Sequence, residues 1–194
     1  QFCLGMLFKN GKSVSKSDQE AARLFKQAAD NGYGKAMVVF GDCLNDGIGV
    51  TKFIPGAISY YKAAAEKGKA AGQFKYAHFI EEGKFIEKNL ALAAHFYKLS
   101  ADQHYADAEY ALGRLHEFGN GVKLDLELAA SLYKRAADQR LDIAEDRYGK
   151  CLQRGRGVLK SPIIALDFFR RSASQKCAAA QFHLGRSFET GLGV

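Results

Sequence analysis

The chain has 194 residues, 47% of them apolar and 25% charged, with a formal net charge of +7. That composition suits a chain that buries a core, and no apolar run reaches the roughly 18 residues of a membrane span, which argues against disorder and against membrane insertion. Two prolines and no tryptophan beside 20 glycines fit helices closed by glycine turns better than a β-sandwich, so the expected class is all-α.

From the N-terminus, the first stretch with helical spacing stops at Gly11, and a glycine returns 36 residues later each time, at Gly47, Gly83, Gly119, Gly155 and Gly191. The same shift aligns Gly5, Gly41, Gly113, Gly149 and Gly185, with Ala77 as the one replacement. It also aligns Ala21, Ala57, Ala93, Ala129 and Ala165, and the rings of Phe25, Tyr61, Tyr97, Tyr133 and Phe169. An aliphatic column runs through Val14, Val50, Ile86, Val122, Val158 and Val194. Self-similarity at this period is the signature of a repeat architecture. The expected units are 1–35, 36–71, 72–107, 108–143, 144–179 and a partial 180–194.

Within the unit 108–143, Ala108, Leu112, Gly113 and Leu115 mark the close-packed face of a helix A of about ten residues. Gly119, Asn120, Gly121 and Val122 form a turn in which the glycines are free to take positive φ and the valine plugs the gap between helices. Asp125 is the expected N-cap of helix B, a place held by Asn89 and Ser161 in neighbouring units, with Pro162 at the first helical position. Leu128, Ala129, Leu132, Tyr133, Ala136 and Ala137 carry the apolar stripe of helix B. Gly32 and Gly68 end the equivalent helices, and His104, Arg140 and Lys176 stand there later as cations that complement a helix C-terminus.

Hairpins this short bury too little alone, so they must stack into an αα-hairpin solenoid. The residues Ala108, Leu112, Gly113, Gly119, Gly121, Val122, Asp125, Ala129, Tyr133, Ala136 and Ala137 together resemble the SEL-one-like repeat family, which is related to tetratricopeptide repeats. The resemblance spans the whole chain and implies a right-handed superhelix of about five repeats. It further implies a scaffold or adaptor in signalling assemblies or endoplasmic-reticulum quality control, not an enzyme. The unit 72–107 departs from the pattern at Gly72, Ala77 and Phe85, and 36–71 carries Phe53 in place of the capping aspartate, so differently shaped loops are expected there. The chain opens within a helix A and closes in the turn Gly191 to Val194 with no polar capping helix, which predicts one solenoid domain over 1–194 cut from a longer array.

Nothing in the sequence calls for a cofactor, metal or small-molecule substrate. Cys3, Cys43, Cys151 and Cys177 lack metal-ligand spacing and read as packed thiols. With no N-x-S/T sequon, they lean towards a reducing, cytoplasmic compartment. The enzymatic alternative that the resemblance raises, for secreted relatives with disulfide-bonded repeats, has no paired-cysteine signature here. The run from Gly5 to Ser13 mimics a phosphate loop but has one residue too many between its glycines, and Gly5 belongs inside helix A. The five histidines form no ligand pair and read as surface or packing groups, and His116-Glu117 and Glu81-Glu82, near the ends of A helices, read as solvated charges.

The third, sixth and tenth residues after the leading alanine define the remaining face of helix A, which the resemblance places on a concave surface. That face shifts from acidic, with Asp42 and Asp46, to basic. Nine of the ten arginines lie between Arg114 and Arg186. Arg114, Arg147, Lys150, Arg154 and Arg186 are the expected basic stripe and Phe118 its apolar anchor, suited to an acidic peptide or helix of a protein partner. Nucleic acid is disfavoured, because only Phe118 offers a stacking ring. The competing expectation is an architectural spacer with an empty groove. A second cationic column, Lys26, Lys62, Lys98, Lys134 and Arg170, is expected to lay its stems over the ring column and to bind no partner.

Overall fold

The computed structural model describes residues 1–193, so Val194 of the aliphatic column lies outside the described residues. They fall into two compact units, Gln1–Ser100 and from Ala101 onward. Eleven α-helices and no strand occur among them. In the first unit these are α1 (Phe2–Asn10), α2 (Asp18–Asp30), α3 (Gly34–Asp46), α4 (Ile54–Glu66), α5 (Ala70–Glu82) and α6 (Leu90–Ala101), whose last residue is Ala101. The second holds α7 (Ala106–Phe118), α8 (Leu126–Asp138), α9 (Asp142–Arg154), α10 (Pro162–Ser174) and α11 (Ala178–Thr190). Odd-numbered helices are the A helices and even-numbered ones the B helices.

Helices α3, α5, α7, α9 and α11 each have 13 residues and begin two positions before the leading alanine, longer than the ten or so expected. The extra turn is set off by half-extended residues such as Tyr105 and Leu141, which give no side-chain cap. Without a capping side chain, the sequence carries no marker for these starts. Each A helix ends at its column glycine in the left-handed conformation, as at Gly119 (φ 67°) and Gly155 (φ 70°).

Consecutive helices pack on one another from α1 to α5 and again from α7 to α11. The A helices also meet directly, α3 with α5 and α9 with α11. The glycine column explains how hairpins close so tightly. A Cβ on Gly5, Gly41, Gly113 or Gly149 would come within 2.6–2.9 Å of the ring of Phe25, Tyr61, Tyr133 or Phe169, each buried in the partner helix. At these four junctions a residue without a side chain leaves room for the ring against the helix. Gly5 therefore sits inside α1, as its place in the repeat predicts.

The alanine column is buried throughout, but Leu128 is 40% exposed and lies off the buried face of α8. Val50 and Val158 are partly buried against the cores of their units, in keeping with the plug expected of their column. Phe85 does not share the positive φ of the loop glycines Gly49, Gly121 and Gly157. Among the described non-glycine residues, positive φ occurs at Ser13, His104, Arg140 and Lys176. The last three continue the column of Gly32 and Gly68, so His104, Arg140 and Lys176 adopt the glycine conformation at these helix ends.

The caps divide by residue. Asp125 accepts from the Leu128 N–H at 2.9 Å and Asn89 from the Leu92 N–H at 2.9 Å, and Ser17 caps α2 through the Glu20 N–H at 3.3 Å. Ser161, expected to do the same, makes no side-chain cap bond, and α10 starts on Pro162 without one. Asp125→Ala is therefore expected to cost about 1 kcal/mol and Ser161→Ala a few tenths, a difference readable from urea midpoints.

Candidate partner-binding groove

Between neighbouring A helices the fold leaves a cavity, and its position repeats with the sequence. Between α7 and α9 it measures about 230 Å³ and is bordered by Glu117, Phe118, Arg147, Lys150, Arg154 and Arg156, with Cys151 at its base. Thirty-six residues on, between α9 and α11, the equivalent positions Gln153, Arg154, His183, Arg186, Thr190 and Leu192 border a cavity of about 270 Å³. In the first unit the matching cavity, about 320 Å³, is walled by Phe74, Phe79, Phe85, Tyr61 and Ile54, with Lys75 and His78 in the places of Arg147 and Lys150.

Four of the six expected stripe residues, Phe118, Arg147, Lys150 and Arg154, thus share one cavity. Arg186 lines the next one, and Arg154 borders both. Arg114 is half-buried on α7 and lines neither. Phe118 is 52% exposed, an apolar wall open to solvent. Ala111, in the same column as Arg147, is buried and adds nothing to an open face.

Sequence reasoning missed Arg156 and misjudged Glu117. Glu117 is not a solvated charge: it is buried, accepts a hydrogen bond from the Tyr133 hydroxyl at 2.7 Å, and lies 3.2 Å from Arg156 and 3.8 Å from Arg147. Glu81 occupies the same column and accepts from Tyr97 at 2.8 Å, while Tyr61 donates to Asp42 at 2.7 Å. The readable signal was the ring column itself. Where it holds a tyrosine, the buried hydroxyl needs an acceptor, and helix A supplies a carboxylate.

Glu117 thereby fixes two arginines from beneath through a partner that the hairpin core holds in turn. Lys150, Arg154 and Arg186 have no carboxylate at ion-pair distance among the described residues. Burial, aided by Arg147 and Arg154, pushes the Lys150 ammonium below its ordinary pKa. Burial and then Glu117 push the Cys151 thiol up to about 11, so it is a packed thiol and not a nucleophile. His183 is held by Asp146 at 2.6 Å.

The other cationic column behaves differently. Lys26, Lys62 and Lys134 reach the acid one turn on, Asp30, Glu66 and Asp138, at 2.6, 4.0 and 2.8 Å. Arg170 pairs with Asp167 at 3.6 Å and lies 5.9 Å from the Phe188 ring. Each of these four charges thus has an acid on its own helix. No group of His, Cys, Asp and Glu among the described residues could hold a metal ion, and none of their helices is long and apolar enough to cross a membrane.

Paired helices at a fixed period, with glycine-seated rings and a cavity at successive junctions, define an αα-hairpin repeat protein. The Sel1 repeat matches residues 1–33, 35–69, 70–105, 106–141, 143–177 and 178–194, and the chain belongs to the Sel1 repeat family. Among solved structures it is similar over its full length to a Sel1 repeat protein from Oxalobacter formigenes, with 27% identity, a TM-score of 0.91 and 77% of that chain covered. It is also similar to c5321, a protective antigen present in uropathogenic Escherichia coli strains that displays an SLR fold, with 26% identity and a TM-score of 0.87 over 98% of this chain. The chain spans 41% of the length of that antigen. Cysteine-rich protein B of Helicobacter pylori shares the fold alone, at 23% identity and a TM-score of 0.52, covering 63% of this chain and 93% of its own. No curated protein matches the chain in sequence. Sel1 repeat proteins are in general non-catalytic helical scaffolds for protein interactions.

Proposed function

We propose that the chain is a non-enzymatic adaptor that binds an acidic segment of a partner protein along the A-helix face of its second unit. The carrying observation is that Lys150, Arg154 and Arg186 line open cavities without carboxylate partners, while Lys26, Lys62 and Lys134 of the B-helix column pair with an acid on their own helices. Leaving cations unneutralised in a concavity beside an exposed aromatic suits recognition of negative charge by steering and by desolvated ion pairs. Phe118 supplies the apolar anchor that such a groove uses.

A fluorescent peptide of Glu-Ala-Ala repeats tests the reading by anisotropy at low salt. The double reversal Lys150→Glu, Arg154→Glu is expected to weaken binding at least about tenfold, since each lost charge contact is worth on the order of 1 kcal/mol. Arg147 is left intact because a glutamate there would face Glu117. The column variant Lys134→Glu is expected to bind as the wild type does. Equal binding by the double reversal, with unchanged circular dichroism, overturns the assignment.

A further inference from the structure

The three cavities at equivalent positions let the molecule serve as its own control. In the first unit both lysines of the cavity have an internal answer, Lys75 lying 3.0 Å from Asp42 and Lys84 3.5 Å from Glu82, and His78 lies 3.7 Å from the same Glu82. Between α7 and α9, four cations face the single carboxylate of Glu117, which is engaged by Arg147, Arg156 and Tyr133. One carboxylate entering this cavity would neutralise only one of the remaining charges. A phosphate monoester carries close to two negative charges near neutral pH and three acceptor oxygens, and matches two anchored guanidinium forks beside a free ammonium.

Resting on the acidic-segment reading, we propose that the α7/α9 cavity takes the phosphate of a phosphorylated side chain in that partner segment, with a carboxylate of the same segment entering the α9/α11 cavity. Glu117 positions Arg147 and Arg156, Lys150 meets the phosphate from the half-buried side, and Phe118 packs on the peptide backbone next to it. Burial and neighbouring cations that work against the Lys150 ammonium make an incoming dianion more favourable there than at an exposed lysine. Packed helix axes lie about 8–10 Å apart, and an extended chain advances about 3.3 Å per residue. Cavities on successive A helices therefore accept side chains about three residues apart in an extended ligand. In the second cavity, Arg186 and the shared Arg154 are the cations without a carboxylate at ion-pair distance, His183 being held by Asp146.

The test uses the chain with three acetylated, amidated peptides built symmetrically, so that binding direction does not matter: Glu-Ala-Ala-phosphoSer-Ala-Ala-Glu, the same with Ser, and the same with Glu at the centre. Phenyl phosphate is the fourth probe, and calorimetry the readout. The expected result is that the phosphopeptide binds at least about tenfold tighter than the central-Glu peptide. Lys150→Ala should remove that preference, and Arg186→Ala should weaken both acidic peptides alike. Equal affinity for the phosphoSer and Glu centres overturns the phosphate assignment while leaving the acidic-segment reading intact. No binding of either overturns both. Phenyl phosphate binding as tightly as the phosphopeptide overturns a peptide source in favour of a small phosphate ester.

Discussion

Gly157→Ala is expected to lower the stability of the second unit by about 2–4 kcal/mol, whereas Gly68→Ala costs only about 1 kcal/mol in the first. Both glycines have φ near 70°, so both substitutions meet the left-handed penalty. Their surroundings differ. A Cβ at Gly68 meets nothing within 4 Å, but one at Gly157 would overlap the carbonyl oxygen of Leu126, at the start of the preceding helix B. Backbone cannot step aside as a flexible side chain does, so α8 and the loop after α9 must separate. Gly49 meets the Asp18 carbonyl in the same way in the first unit, and Gly49→Ala should reproduce the effect there. Chemical denaturation of each variant reads the difference. Comparable losses for Gly157→Ala and Gly68→Ala would show that the conformational penalty alone matters and the close approach does not.

The second large effect concerns a buried acid. Glu145, fully buried on α9, receives Arg171 Nε at 3.0 Å, Arg171 Nη2 at 2.6 Å and Gln175 Nε2 at 2.8 Å, with Arg140 at 3.7 Å. Arg171 also donates to the Ala137 carbonyl at 3.1 Å and lies 4.8 Å from the Phe168 ring. One repeat earlier, Glu109 is held by Arg135 and by Gln139 at 2.7 Å. Arg171→Ala leaves the carboxylate buried with one amide and a distant guanidinium, and is expected to cost about 3 kcal/mol. The first unit contains the remedy. There the same two positions hold Met37 and Ala63, and Met37 packs in the core. Glu145→Met combined with Arg171→Ala is therefore expected to recover most of the lost stability, because an apolar group replaces a charge that has lost its partner. A double mutant no more stable than Arg171→Ala would show that the arginine acts through packing on Phe168 and not through the acid.

The hairpin frame was legible because its positions are fixed by close approach. Gly113 and Tyr133, or Gly149 and Phe169, approach so closely that a small residue and an aromatic ring recur at a constant interval whatever the surface does. Helix ends were legible only where a side chain marks them. Asp125 and Asn89 announce α8 and α6, while α7 and α9 begin after Tyr105 and Leu141, which carry no polar cap. The stripe of cations could be found by counting positions along helix A. Its division between two cavities could not, since that depends on how α9 meets each neighbour. Glu117 was misjudged for a related reason: sequence neighbours suggested a solvated acid, but the group that decides its burial is Tyr133, sixteen residues away on the facing helix.

Arg154 borders two cavities with a single guanidinium. An anion that draws it into one cavity weakens the field in the other, so two independent anions would bind with negative cooperativity, each lowering the other's affinity by the same factor. A single chain bearing both negative groups escapes part of that penalty, because its second group arrives already tethered at high effective concentration. The shared arginine thus favours one ligand with two charges over two ligands with one each.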